Sequence, residues 1–490
     1  MTALALGATA ALEDGERAWQ REALQAEVDV LRDRLVAQRT QVLATLMDNG
    51  ASWVVADLAA AAAGVVHVPL PVFFTPEQIG HALQAAGVDT VLTLPMLAAR
   101  WAGAPTVDIA VAAQPLAMLR LPGAPVPMPA GTAKITFTSG TTGAPKGVCL
   151  SGAAMQQVAE GLVTAMAPLD IQRHLCALPF AVLLENIAGL MAPLMRGATC
   201  VVLPLEQLGL RGSSSFDAVQ FQSVVAARQP HSIILLPQML RAWVGHLLQS
   251  GQRAPASLRM VAVGGAAVGA KLLEAAQAVG IPAHEGYGLS EGASVQTLNL
   301  PGAARAGSAG RVLPHARLRI AADGEVEVAG SLFSGYLGHT PAPQASQAPP
   351  AWWPTGDLGM IDADGFLHIQ GRKKHVLITA FGRNVSPEWV ETALRGENAI
   401  AQAVVFGDGE PALSAVLWPT RPDLPDTVLQ AAVEAANELL PDYARIERWA
   451  RGRADFSAAS GLATANGRPQ RAAILQMHAD ALETASRPTP

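Results

Sequence analysis

Cysteine is nearly absent from this chain: Cys149, Cys176 and Cys200 are widely spaced and form no CxxC or Cys/His grouping. That argues against a disulfide framework and a structural zinc site, and it suits a reducing cytoplasm. Charged residues make up only 15%, and the net charge of -6 includes no basic block or stripe, which argues against a nucleic-acid partner. Lysine is scarce too, at five of 34 basic residues. The most membrane-like run, residues 54–74, is broken by Asp57, His67, Pro69 and Pro71. It reads as a helix and strand of a soluble core, so no transmembrane segment is expected. Glu13, Asp14 and Glu16 stand where an export signal would carry a basic start and an apolar stretch, so none is expected.

What is present is apolar and periodic. Half of the 490 residues are hydrophobic, and that length exceeds what one core usually serves, so at least two domains are expected. Leu24, Val28, Leu31 and Leu35 recur on one helical face, predicting a helix over 16–47 that Asn49-Gly50 would close. Short apolar runs such as 65–70, 90–94 and 260–263 then alternate with helical stretches such as 76–86 and 221–228. This is the rhythm of an α/β domain with mainly parallel strands, which bind ligands at their ends. A large domain over 1–373 and a small one over 374–490 are expected. Residues 339–350, rich in Pro, Ala and Gln, read as an exposed loop.

Between two strand-like runs lies Thr138-Ser139-Gly140-Thr141-Thr142-Gly143-Ala144-Pro145-Lys146-Gly147. The glycines permit close backbone approach, the hydroxyls can donate to phosphate oxygens, and Lys146 supplies a mobile positive charge. A mobile surface turn is the other reading of this composition. The order is not the Walker signature, which ends Gly-Lys-Ser/Thr and opens a helix.

At this loop the sequence resembles the acyl-adenylate-forming (AMP-binding) superfamily, nearest in pattern to long-chain or medium-chain fatty acyl-CoA synthetases. The resemblance continues through Gly286-Tyr287-Gly288-Leu289-Ser290-Glu291, Gly324-Glu325-Val326-Glu327 with Gly335-Tyr336, Thr355-Gly356-Asp357, Gly371-Arg372-Lys373-Lys374, and Phe381-Gly382-Arg383-Asn384. It implies an α/β fold with a large N-terminal adenylate-forming domain and a small mobile α+β C-terminal domain. By resemblance the 138–143 loop and Lys146 hold ATP phosphates, Tyr287 stacks on adenine, Ser290 sits near the phosphates and Glu291 holds Mg2+. Gly264, Gly265 and Ala266 line the adenine edge, Asp357 takes the ribose diol with Arg372 assisting, and Lys374 is the hinge. Gly382 and Arg383 face the incoming thiol, carried by CoA or an acyl carrier protein. The acidic residue usual after the hinge is replaced by His375.

The family's adenylating lysine also departs: the matching segment, Thr464-Ala465-Asn466-Gly467-Arg468, carries arginine. Three readings stand: a charge-preserving change in an arginine-rich chain, impaired adenylation, or a repurposed site, because a guanidinium fork and a compact ammonium are not interchangeable. On the acyl side, residues 178–185 hold no early Asp, which disfavours an α-amino acid. Phe180, Val182 and Leu236 suggest an apolar tunnel for a medium or long fatty chain, with plain core as the other reading, while Glu185 reads as a helix-start carboxylate. The expected reaction is ATP-dependent formation of acyl-AMP, then transfer to a pantetheine thiol. An adenylation-impaired acyl-nucleotide or carrier-binding protein is the alternative.

Overall fold

The computed structural model describes residues 4–15, 17–138, 146–212, 215–338, 351–464 and 467–484. Leu24, Val28, Leu31 and Leu35 fall on the buried face of a helix, Arg21–Ala37, where the 3.6-residue period puts them. Burying each contributes about 1.5–3 kcal/mol. The helix ends at Ala37, not near Met47. Arg39 turns the chain with a left-handed φ of 55°, and Val42–Leu46 becomes a strand buried at all five positions. A strand buried on both faces has no alternation to separate it from a helix in sequence.

The next helix, Ala51–Ala63, is buried at every residue from Ala51 to Ala60. Such a helix needs apolar residues all round, which is why the run looks membrane-like. It shares one apolar cluster with Arg21–Ala37 and with strand residues of two large sheets, including Leu12, Leu43, Leu92 and Cys200. Among the described residues no helix is long and apolar enough to cross a membrane.

One large sheet runs, edge to edge, Gly335–Tyr336, Lys146–Ser151, Thr132–Thr138, Val66–Pro69, Val42–Leu46, Thr90–Thr93, Gln114–Arg120 and Thr106–Val111. The other runs Arg311–Val312, Ser294–Leu298, Ala283–Leu289, Met260–Val263, Ser232–Leu235, Arg173–Leu175, Thr199–Val201, Ala11–Glu13 and Ala18–Gln20. Its middle pairings are parallel. A four-stranded antiparallel sheet follows, in the order Ala316–Ile320, Glu325–Gly330, Trp353–Ile361 and Leu367–Arg372. A smaller α+β unit completes the chain. Its strands Ile400–Phe406, Leu413–Pro419 and Ile446–Arg451 carry the helices Pro387–Arg395, Asp426–Asn437 and Arg471–Thr484.

The small unit is tied to the large one by charge and close packing. Lys271 Nζ pairs with Glu397 at 2.5 Å. Burial, then the neighbouring charge of Arg395, depresses the Arg241 guanidinium to about 10. Gly371, with φ of +151°, lies so near the small unit that a Cβ there would meet Ser386 Oγ at 1.7 Å. Glu185 is not an ordinary helix-start carboxylate: it is fully buried and opens a π-helical turn, Glu185–Met191.

Candidate functional site

The strands Thr132–Thr138 and Lys146–Ser151 pair antiparallel, with Thr138 opposite Lys146. Ser139, Gly140, Thr141, Thr142 and Gly143 lie outside the described residues. At the loop's base Thr138 Oγ1 donates weakly to the Lys146 carbonyl at 3.5 Å. The exposed Lys146 ammonium lies 5.7 Å from the Tyr336 ring centroid, and the Tyr336 hydroxyl donates to Glu291 Oε1 at 2.7 Å. Tyr336 thus joins the loop base to the end of the 286–291 segment. The motifs along the chain give Tyr336 no role of its own, yet tyrosine occurs only three times in the sequence, and two of the three stand here.

The Ala283–Leu289 strand is shaped for close approach. A Cβ on Gly288 would meet the Ser294 carbonyl at 2.1 Å, and the register with Ser294–Leu298 shifts between Tyr287 and Gly288. Ser290 and Glu291 form the following 3-10 turn, and Ala293 and Ser294 leave it with left-handed φ of 53° and 105°. Gly264, at the end of Met260–Val263, brings its Cβ position within 3.6 Å of the Gly286 carbonyl. Gly265, with φ of +87°, abuts Leu236 at 3.1 Å, while Ala266 is exposed beside it. Leu184 approaches Gly264 at 3.6 Å, so Leu184 and Leu236 form an apolar wall there that the sequence reading only half anticipates. Val182 is half-buried. Phe180 is packed into the core against Trp53, with ring centroids 5.0 Å apart.

Asp357 and Arg372 stand opposite each other on neighbouring strands, and Arg372 Nε pairs with Asp357 Oδ1 at 2.8 Å. The Tyr287 hydroxyl donates to the other carboxylate oxygen at 2.6 Å. Burial pushes the Asp357 carboxyl up, against the opposing pull of Arg372, Tyr287 and Arg468. The Arg468 guanidinium is solvent-accessible yet crowded by protein. Burial and Arg372 lower its pKa, while Asp357 and Glu291 act to raise it. A tight hairpin presents it, with Ala463 bridged to Pro469 and the Arg468 amide donating to Thr464 Oγ1 at 3.2 Å.

Lys374, in the turn Lys373–His375, is held below its usual range by burial and by the charges of Arg372, Arg468 and Lys146. Four cations from both units therefore share one electrostatic neighbourhood, which also contains the carboxylates of Asp357 and Glu291. His375 makes its own contact: Nδ1 pairs with Glu388 Oε1 at 2.5 Å, and with Arg471 it helps hold Glu388 down to about 2 against burial. Gly382, with φ of +72°, and Arg383 form a turn of the small unit, where Arg383 lies over Tyr443 at 5.9 Å. One carboxylate beside a group of cations, as Glu291 is here, is the kind of protein share that a Mg2+ site completed by phosphates and water needs.

A model of the AMP-binding enzyme family matches residues 5–337, and a model of the AMP-binding enzyme C-terminal domain matches 374–487. A long-chain-fatty-acid–CoA ligase of Mycobacterium bovis is 41% identical over 160 residues, covering 32% of this chain and 26% of that protein. A 2-succinylbenzoate–CoA ligase of a Geobacillus species is 32% identical over 287 residues, covering 56% of this chain and 55% of that protein. The chain thus spans about half or less of the length of these curated relatives. The o-succinylbenzoate CoA synthetase of Bacillus subtilis, solved with its acyl-adenylate intermediate, has the same fold. It aligns with a TM-score of 0.74 at 24% identity, over 98% of this chain and 96% of that one.

Proposed function

The chain belongs to the AMP-binding enzyme family, and from that premise we propose that it is an acid–thiol ligase using ATP and Mg2+. In the first step a carboxylate oxygen of the acid attacks the α-phosphorus of ATP, the bond to pyrophosphate breaks, and acyl-AMP forms. In the second, a pantetheine sulfur attacks the acyl carbon, the bond to AMP breaks, and the thiol proton passes to solvent. The observation that carries this reading is the convergence of Lys146, Arg372, Lys374 and Arg468 beside Glu291 and Asp357. A polyanion is what such a basin takes up, and cations fixed there stabilise charge developing at phosphorus.

Within it, Tyr287 would cover adenine from the strand that also holds its hydroxyl on Asp357, and Asp357 would take the ribose diol. Gly264, Gly265 and Ala266 would line the adenine edge, with Gly286 and Gly288 leaving room and Ser290 near the phosphates. Magnesium held by Glu291 would supply charge neutralisation between the phosphates. We assign the large unit to 1–373 and the small one to 374–490, with Lys374 as the hinge that would bring Gly382 and Arg383 to the thiol. The names of the relatives support CoA as the acceptor. They also widen the acid from a fatty chain to an apolar acid that includes aryl carboxylates, for which Leu184 and Leu236 offer one wall.

The test is pyrophosphate release from ATP with a panel of fatty and aryl acids, followed by CoA addition. Turnover of at least one acid is expected, and absence of both turnover and ATP binding by calorimetry sinks the proposal. Arginine at 468 favours one second reading, a nucleotide-binding protein that does not adenylate. Tight ATP binding without turnover, restored by Arg468→Lys, is its signature.

A further inference from the structure

Away from the nucleotide site, three parallel strands set Cys200, His174 and Ser232 side by side in register. His174 and Cys176 are two residues apart and so face the same way from one strand. The π-helical turn lowers Glu185 onto them. One donor atom each from His174, Cys176 and Glu185 lies within 4.8 Å of the others, and all three residues are buried. In the sequence His174 and Cys176 alone make no metal-ligand set; the fold completes one by bringing Glu185 from the π-helical turn against their strand.

The hydrogen bonding of this cluster is incomplete where a cation would sit. His174 Nδ1 is satisfied by Ser232 Oγ at 2.8 Å, which fixes the ring and aims Nε2 inward. Among the described residues Nε2 has no hydrogen-bond partner, and neither do the two Glu185 carboxylate oxygens by ordinary geometry, although His174 and then the Ala177 and Leu178 amides lie near enough to favour the carboxylate's charge. Nε2 and Oε1 are 3.6 Å apart. That is long for a hydrogen bond but close to the spacing of two ligands on one tetrahedral ion, about 3.3–3.7 Å for bonds of 2.0–2.3 Å. The Cys176 and Cys200 sulfurs both approach the Gly189 carbonyl, at 3.4 and 4.0 Å. Gly189 itself must lack a side chain, since a Cβ would meet Glu185 Oε1 at 2.6 Å and His174 Nε2 at 3.0 Å.

We propose that His174 Nε2, Cys176 Sγ and the Glu185 carboxylate bind a zinc-class divalent ion in the core of the large unit, with Cys200 beside them as the fourth donor. Nitrogen, sulfur and oxygen donors in one tetrahedral cluster are the ligand set of zinc. A neutral imidazole, one thiolate and one carboxylate balance a 2+ charge, which makes the site neutral in an apolar core; the thiol proton leaves to solvent on binding. The ion would tie the Arg173–Leu175 strand to the π-helical turn.

The full chain is expressed with Zn2+ or Co2+ in the medium, washed with EDTA to strip exposed sites, and assayed by mass spectrometry and visible spectroscopy. About one ion per chain is expected. The cobalt form should show a thiolate-to-metal charge-transfer band and intense tetrahedral bands. Cys176→Ser should abolish the charge-transfer band and Glu185→Gln should lower metal content at least tenfold, whereas Cys149→Ser, at a buried thiol elsewhere, keeps both. The wild-type cobalt spectrum decides the matter even if a variant fails to fold. Wild-type protein without metal, or cobalt bound without the charge-transfer band, overturns the proposal and leaves a plain His174–Glu185 contact.

Discussion

Tyr287 and Asp357 are joined by a 2.6 Å hydrogen bond in which the phenol donates to the carboxylate, so the ring proposed to cover adenine is fixed by the group proposed to hold ribose. Removing the hydroxyl in Tyr287→Phe costs about 1 kcal/mol of net hydrogen bonding and frees the ring to move. ATP affinity measured by calorimetry should fall about 5-fold. Asp357→Ala removes the diol acceptor as well and leaves Arg372 unpaired, so a loss on the order of 100-fold is expected. Equal affinity in all three proteins would separate Asp357 from the nucleotide.

Gly371 controls how closely the two units meet. With φ of +151° and Ser386 Oγ at 1.7 Å from a Cβ position, Gly371→Ala cannot keep this arrangement. The hairpin carrying Arg468 belongs to the same small unit, so the variant should draw it away from Glu291 and Asp357. Pyrophosphate release should drop at least tenfold, on the order of 1.4 kcal/mol in barrier, while CoA acylation from supplied acyl-AMP drops less. Equal losses in both half-reactions would point to general destabilisation.

Much of this geometry was legible before folding, and the reason differs by residue. Leu24, Val28, Leu31 and Leu35 announce themselves by period, and scarcity marks the lysines. Lys134 is buried against Asp57, Lys271 and Lys373 make ion pairs, and Lys146 and Lys374 stand in the cation basin. What was not legible comes from contacts between distant strands. Val42–Leu46 is hidden because burial on both faces erases alternation. Glu185 reads as a helix-start carboxylate until a π-helical turn and Gly189 place it against His174.

Glu285 gives a pH signature. Burial raises its carboxyl to about 7, against the Val268 amide, which lowers it. Its unfolded value is 4.5, so between pH 4.5 and about 7 the folded chain holds a proton that the unfolded chain has lost. Its stabilising contribution is complete below the lower value and is lost as pH rises through the upper one. Glu285→Gln removes this slope and should stabilise the protein at pH 8 by roughly 2–4 kcal/mol relative to wild type. Urea unfolding at pH 5 and pH 8 measures the difference; a constant offset at both would rule out the titration.

Lys134 neutralises a carboxylate deep in the core. Its ammonium lies 2.8 Å from Asp57 Oδ1, His67 Nδ1 lies 2.6 Å from the same oxygen, and Asn186 contacts both Lys134 and Asp57. Burial alone would raise the Asp57 carboxyl, but Lys134 and His67 hold it well below the usual range. Lys134→Met strands that charge and should cost about 3–5 kcal/mol in urea unfolding. Adding Asp57→Asn should restore most of the loss. A double variant no more stable than the single one would mean that Lys134 acts through packing and not through charge.

In the proposed reaction Arg468 bears on the first half-reaction. It sits within the influence of Arg372, Asp357 and Glu291, where the small unit meets the cation basin. A positive group there neutralises charge that develops only as the acid oxygen reaches phosphorus. Its removal should therefore lower kcat for pyrophosphate release more than it raises KM for ATP. Arg468→Ala should cost on the order of 100- to 1000-fold in that step and leave thiol transfer from supplied acyl-AMP within a few-fold of wild type. Arg468→Lys separates charge from shape. A compact ammonium keeps the charge but not the planar fork, so equal or higher activity would mean that charge suffices, and a loss as large as that of alanine would mean that the site has been rebuilt around a guanidinium.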